Sequence, residues 1–361
     1  MHLKTSSAPS GHSINVGIQF LRILLCFFVV VIHYQDPAKL FGLRADLYPM
    51  TFSAVPVFLI LSFYFLKPKK LAKDPAYRKK RADRLLWPQI FWTLAYCVVF
   101  YFLERLTGVD LYHGPADLFW QFFFGCGYNA TAWYQVVLIW MTVLVFLLFC
   151  LPGKRTALLC LGGMSVLSLV LSYGGLLGNF AHIMKNAPPV LWGAPFYPGY
   201  ILDPIGRFAE TLPYVFLGLL LGQTDLLNRM KKNRWSTLLF GGLLAVSFFL
   251  HRFLPQPEGF CYGGIWLILM ALFFVLFFWC LPFEKLPEKI CWWIKKISDC
   301  SMGVYFIHRM IGVAIYVTPL RLFLHMQDGT LHDCAVVCLA SFIVTALLSL
   351  IPSRRLREAL S

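Results

Sequence analysis

The chain has 361 residues, of which 59% are hydrophobic and 14% charged, and its formal net charge is +15. That balance excludes an ordinary water-soluble globule and indicates a polytopic membrane protein. In such a chain the surplus of cations is a topology signal, which removes nucleic-acid binding as its explanation.

The first apolar run, residues 14–34, is about as long as a bilayer-spanning helix, and no small-residue cleavage site follows it. It reads as an uncleaved first span rather than a signal peptide. Further runs over 47–66, 85–103, 132–151, 156–177, 204–222, 235–253, 261–281, 301–318 and 334–351 bring the expected count to about ten transmembrane helices. The expected fold class is therefore all-α, a single membrane-embedded domain over residues 1–361. Of the 32 Lys and Arg residues, 23 fall in the segments that are inside if the N-terminus is cytoplasmic, and six in the outer connections. The positive-inside rule then puts both termini in the cytoplasm. Nine cations are packed into residues 67–84. That is denser than topology requires and suited to an anionic ligand or anionic lipid headgroups.

Two outer connections are long. Residues 104–131 contain the aromatic stretch "DLFWQFFFGCGYN", and residues 178–203 are rich in Pro, Gly and aromatics. The second suits a shaped lid whose aromatic faces line a sugar site, or equally an interfacial anchor built from Trp and Tyr. The chain holds 11 cysteines. They sit singly, most of them within apolar runs and none in a CxxC pair, as buried small hydrophobes do, so neither a metal nor a structural disulfide is expected.

The stretch "LRILLCFFVVVIHY" holds Arg22 and His33, eleven residues apart. Eleven residues make three helical turns plus about 20°, so both share one face, about 16 Å apart along the axis. An arginine at that depth needs an anionic or carbonyl partner in the bundle interior, and an imidazole near the outer end can serve as a general base. A second pair, Arg81 and Arg84 in "RADR", lies at the inner start of the third span. Two arginines at i and i+3 can fork onto phosphates, or simply snorkel to the membrane edge. Glu210 beside Arg207, His308 beside Arg309, and Asp36, close enough in sequence to orient His33, are secondary candidates.

An Arg, ten residues and a His in the first span, followed by Arg-x-x-Arg at the third, resembles the acyltransferase 3 family of integral-membrane acyltransferases. Further stretches carry the likeness across the whole chain: "VPVFLILSFYFL", "AWYQVVLIW", "FLGLLLG" and "SDCSMGVYFIHRMIG". One departure stands out, since the family commonly has Ser-Gly-Phe where this chain reads "LSFYF", keeping Ser62 and lacking the glycine.

The resemblance implies a multi-pass enzyme of the bacterial cytoplasmic membrane. Such an enzyme moves an acyl group, most often acetyl, from acetyl-CoA to a hydroxyl of a carbohydrate or other cell-envelope acceptor, with acyl-CoA as co-substrate and no bound cofactor. His33 would deprotonate the hydroxyl or first accept the acyl group itself. Arg22 would orient the thioester or stabilise the oxyanion, and Arg81 and Arg84 would dock the CoA phosphates. A transporter or flippase for a glycan or lipid-linked precursor is the alternative, because intramembrane charges and an aromatic outer loop suit it as well.

Overall fold

The computed structural model describes residues 15–34, 43–111, 115–125, 132–151, 153–177, 190–191, 194–195, 199–224, 226–230, 233–257, 262–327 and 329–360. They form a helical bundle. In chain order the principal helices are α1 Val16–Tyr34, α2 Leu43–Thr51, α3 Ala54–Tyr64, α4 Pro68–Lys73, α5 Pro75–Thr107, α6 Pro115–Phe124, α7 Trp133–Cys150 and α8 Lys154–Tyr173. They continue with α9 Gly199–Thr224, α10 Arg234–Phe253, α11 Ile265–Cys280, α12 Glu288–Asp299, α13 Ser301–Tyr316, α14 Leu331–Ser349 and α15 Arg354–Leu360. A two-residue ladder pairs Val190 with Pro195 and Leu191 with Ala194. The expected lid at 178–203 otherwise lies mostly outside the described residues.

Among the described residues, eight helical stretches are long and apolar enough to cross a membrane, against the ten expected. The expected runs at 261–281 and 301–318 are occupied by α11 and α13, each 16 residues long. They are shorter than a free-standing span because both are enclosed by neighbours: Met270, Ala271 and Val275 of α11 and Val304, Phe306 and His308 of α13 are buried. Lipid cannot hydrogen-bond a backbone, so helices are the economical answer throughout.

Helix α1 is the hub, packed against α3, α11, α12, α13 and α14. Its fully buried Ile18, Leu21 and Leu25 with Val29 repeat at helical spacing on one face. Outer helices α8, α10 and α14 instead expose Val166, Leu238 and Leu339 to the surroundings, the pattern of lipid-facing surfaces.

The cationic segment expected as an inner loop is largely helical. Asp74 caps α5 by accepting from the backbone N–H groups of Ala76 and Tyr77, so that helix starts ten residues before the expected third span and runs 33 residues. At 1.5 Å per residue it is about 50 Å long. The expected outer connection at 104–131 holds the end of α5 and all of α6, while 112–114 and 126–131 lie outside the described residues. Gln89, near the midpoint of α5, donates through Nε2 to the carbonyls of Gln121 at 2.9 Å and Phe122 at 3.1 Å, drawing the C-terminus of α6 into the bundle. Gly125 follows at φ +72°, where a Cβ would strike the backbone of Trp133. Thus the ten-residue α6 ends inside the bundle against the start of α7, which is itself long and apolar enough to span, an arrangement tolerated where the chain end is buried in protein.

The missing glycine of "LSFYF" is answered from the facing helix. Gly218 and Gly222 of "FLGLLLG" lie against the carbonyls of Ile60 and Tyr64, so α9 and α3 approach backbone to backbone. Gly218→Ala or Gly222→Ala should force these helices apart at about 1–3 kcal/mol. Gly163→Ala, where nothing lies within 4 Å, should leave stability unchanged or raised. Thermal melting in detergent distinguishes them: equal melting of all three variants would show that the α3–α9 contact is not tight.

Candidate active site

Helix α13 receives both unusual residues of α1. Arg22 is half-buried and its Nη2 donates to Ser301 Oγ at 2.7 Å, while Cys26 one turn on donates to the Ser301 carbonyl. A guanidinium inside a bilayer bundle is costly, and a hydroxyl at a helix start satisfies part of it without a second charge. At the other end His33 is exposed, with its ring centroid 5.3 Å from that of buried His308. Tyr34 fixes this end by donating to the carbonyls of His308 and Arg309, its ring lying over Gly312, where a side chain would clash.

The state of His308 follows from its neighbours. Its Nδ1 lies 2.7 Å from the Tyr305 carbonyl and 3.2 Å from that of Val304. Carbonyls only accept, so Nδ1 carries the proton and donates, and Nε2 is left with a lone pair. That Nε2 is buried and has no hydrogen-bond partner. The cations Arg309 and Arg207 act electrostatically on His33. Arg207 rests over the Trp133 ring at 4.6 Å, and buried Glu210 accepts from the backbone N–H of Tyr262 at 2.9 Å. Asp36 lies outside the described residues.

Between α1, α3, α7 and α13 is a cavity of about 170 Å³ with Arg22, Ser62, Tyr134, Ser301 and Tyr305 in its walls. The Tyr134 and Ser62 hydroxyls are 3.5 Å apart, the long limit of a hydrogen bond. Arg22 and Arg81 both act electrostatically on the Tyr134 hydroxyl, from two different helices. From this cavity the rings of Tyr134, Tyr305, His308 and His33 succeed one another at centroid spacings of 5.1, 6.3 and 5.3 Å. Arg81 and Arg84 do not share one environment. Arg84 is exposed, whereas Arg81 is half-buried between α5 and α7, with Nε and Nη2 sealed and unpartnered.

Three residues of this arrangement carry no signal of their own in the sequence: Tyr134, Ser301 and Tyr305. Each sits inside a stretch that carries the family likeness, and Tyr134 opens a helix that begins in the interior, where a surface anchor has no use.

A half-buried guanidinium, a cavity of small-molecule size and an exposed histidine set against a buried one, all on a membrane bundle, are the equipment of an integral-membrane group-transfer enzyme. The chain matches the acyltransferase domain of the acyltransferase 3 family over residues 15–351 and belongs to that family; it is a membrane acyltransferase. Comparison with curated proteins and with solved structures returns no match.

Tyr134→Phe keeps the ring contacts and removes only the hydroxyl between Arg22, Arg81 and Ser62. Acyl transfer should fall by up to about tenfold, the worth of one hydrogen bond. Turnover equal to wild type, at an unchanged melting temperature, would leave Tyr134 a packing residue.

Proposed function

We propose that the protein takes an acyl group, acetyl in the simplest case, from cytoplasmic acyl-CoA and transfers it to a hydroxyl of a carbohydrate or other cell-envelope acceptor on the opposite side of the membrane. One observation carries this reading: the cavity beside Arg22 and the exposed His33 lie on one face of α1, both against α13. A donor arm entering at the basic end of the bundle meets Arg22 first and His33 last.

The donor's phosphates meet Arg84 and the exposed lysines of α4 and α5, such as Lys73 and Lys80, at the basic end. The extended pantetheine arm passes the cavity, where Arg22 orients it. Arg22 and His33 are about 16 Å apart along the helix, so Arg22 serves the arm and not the reacting carbonyl. Near His33 the cations are Arg309 and Arg207, and they stabilise the negative charge that develops on the thioester oxygen. His33 takes the proton of the acceptor hydroxyl, whose oxygen attacks the thioester carbon. The C–S bond breaks, and the departing CoA thiolate is protonated from the imidazolium. The ring of His308 lies beside that of His33, and its unpartnered Nε2 lone pair is the acceptor that a turn of the His33 ring would meet, which would hold His33 in register.

The short α6, ending inside the bundle, resembles the discontinuous helices of transporters and favours the flippase alternative. Turnover separates the two. Purified protein with acetyl-CoA and a membrane-glycan fraction should release free CoA, and His33→Ala should lower the rate by about 10² to 10⁴ with the fold intact. Arg22→Lys keeps the charge but loses the planar fork. It should raise KM for acetyl-CoA, and with His33→Ala the double variant should be scarcely slower than His33→Ala alone. No CoA release, together with movement of labelled glycan across vesicles, would overturn the acyl-transfer reading.

A further inference from the structure

A second cavity, of about 210 Å³, lies between α4, α5 and α7, away from Arg22 and His33. Its walls are apolar except for Thr142 and two arginines, and no acidic residue lines it. Arg78 rests over the Phe146 ring at 5.2 Å and donates to the Ala72 carbonyl at 3.4 Å. Arg81 lines the same cavity, and its Nε and Nη2 are buried without an acceptor. Withdrawing charged donors from water without supplying an acceptor is strongly unfavourable, so the arrangement calls for an anion from outside the chain. The walls also call for an apolar body attached to that anion. Two of them, Leu86 and Val143, are exposed, so the cavity opens sideways through the apolar flank of the bundle rather than only to water.

We propose that this cavity is a binding site for an anionic phospholipid of the leaflet at the basic end. Its phosphate sits on Arg81 and Arg78, and an acyl chain runs out past Leu86, Val143 and Leu147 between α5 and α7. The lysines of α4 and the start of α5 hold the rest of the headgroup electrostatically. The site stands independently of the proposed reaction.

The test is native mass spectrometry of the full chain, delipidated and then offered equal amounts of phosphatidylglycerol and phosphatidylcholine. Wild type should retain phosphatidylglycerol at least about tenfold over phosphatidylcholine, the factor that one charge-assisted contact supplies. Arg78→Ala should abolish the preference, and Val143→Trp, which fills the mouth without touching a charge, should lower retention of both lipids. Melting curves identify a variant that has failed to fold. Equal retention of the two lipids by wild type would overturn the site. So would a preference that survives both substitutions, or displacement of the bound lipid by CoA one for one, which would make the cavity part of the donor site.

Discussion

Polar groups withdrawn from water inside a lipid-facing bundle must find partners within it, and the layout of this protein follows from that constraint. Arg22 is the sharpest case. It donates to a neutral hydroxyl at the start of α13, with Asp299 acting on it electrostatically, and this keeps the guanidinium fixed at one depth. That requirement draws α13 against α1 along its length. The same closeness then sets His33 beside His308 and lets Tyr34 tie down the far end. Tyr96 completes the frame from α5, donating to the Phe306 carbonyl at 2.6 Å and accepting from Met310 N–H at 3.2 Å.

Around this frame the enzyme is divided by depth. Cations gather at one end, a cavity with hydroxyls and a guanidinium lies partway in, and a histidine pair stands at the other. Aromatic rings bridge the interval, from Tyr134 through Tyr305 to the histidine pair. Helix α7 contributes its start, which holds Tyr134 buried in the wall of that cavity.

Much of this arrangement is legible in the amino-acid sequence. An offset of eleven residues between Arg22 and His33 puts them on one face of a helix, and both do meet α13. Other features depend on partners far away along the chain. "DLFWQFFF" is too short to span and too aromatic to separate from an interfacial anchor; what draws it inward is Gln89, some thirty positions earlier. Arg81 and Arg84 are neighbours at i and i+3, yet they point about 60° apart around the helix axis, and α7 packs on only one of those directions. Gly218 and Gly222 read as ordinary small residues, and their meaning emerges only against the carbonyls of Ile60 and Tyr64.

The most direct measurement of the division by depth uses sealed proteoliposomes sorted by orientation, with acyl-labelled acetyl-CoA supplied to one face and a membrane-glycan acceptor confined to the other. Label should reach the acceptor only when the donor is on the face that carries residues 67–84. Transfer that requires donor and acceptor on the same face, or that proceeds equally with the donor on either side, would contradict a path running from Arg22 to His33 across the bundle.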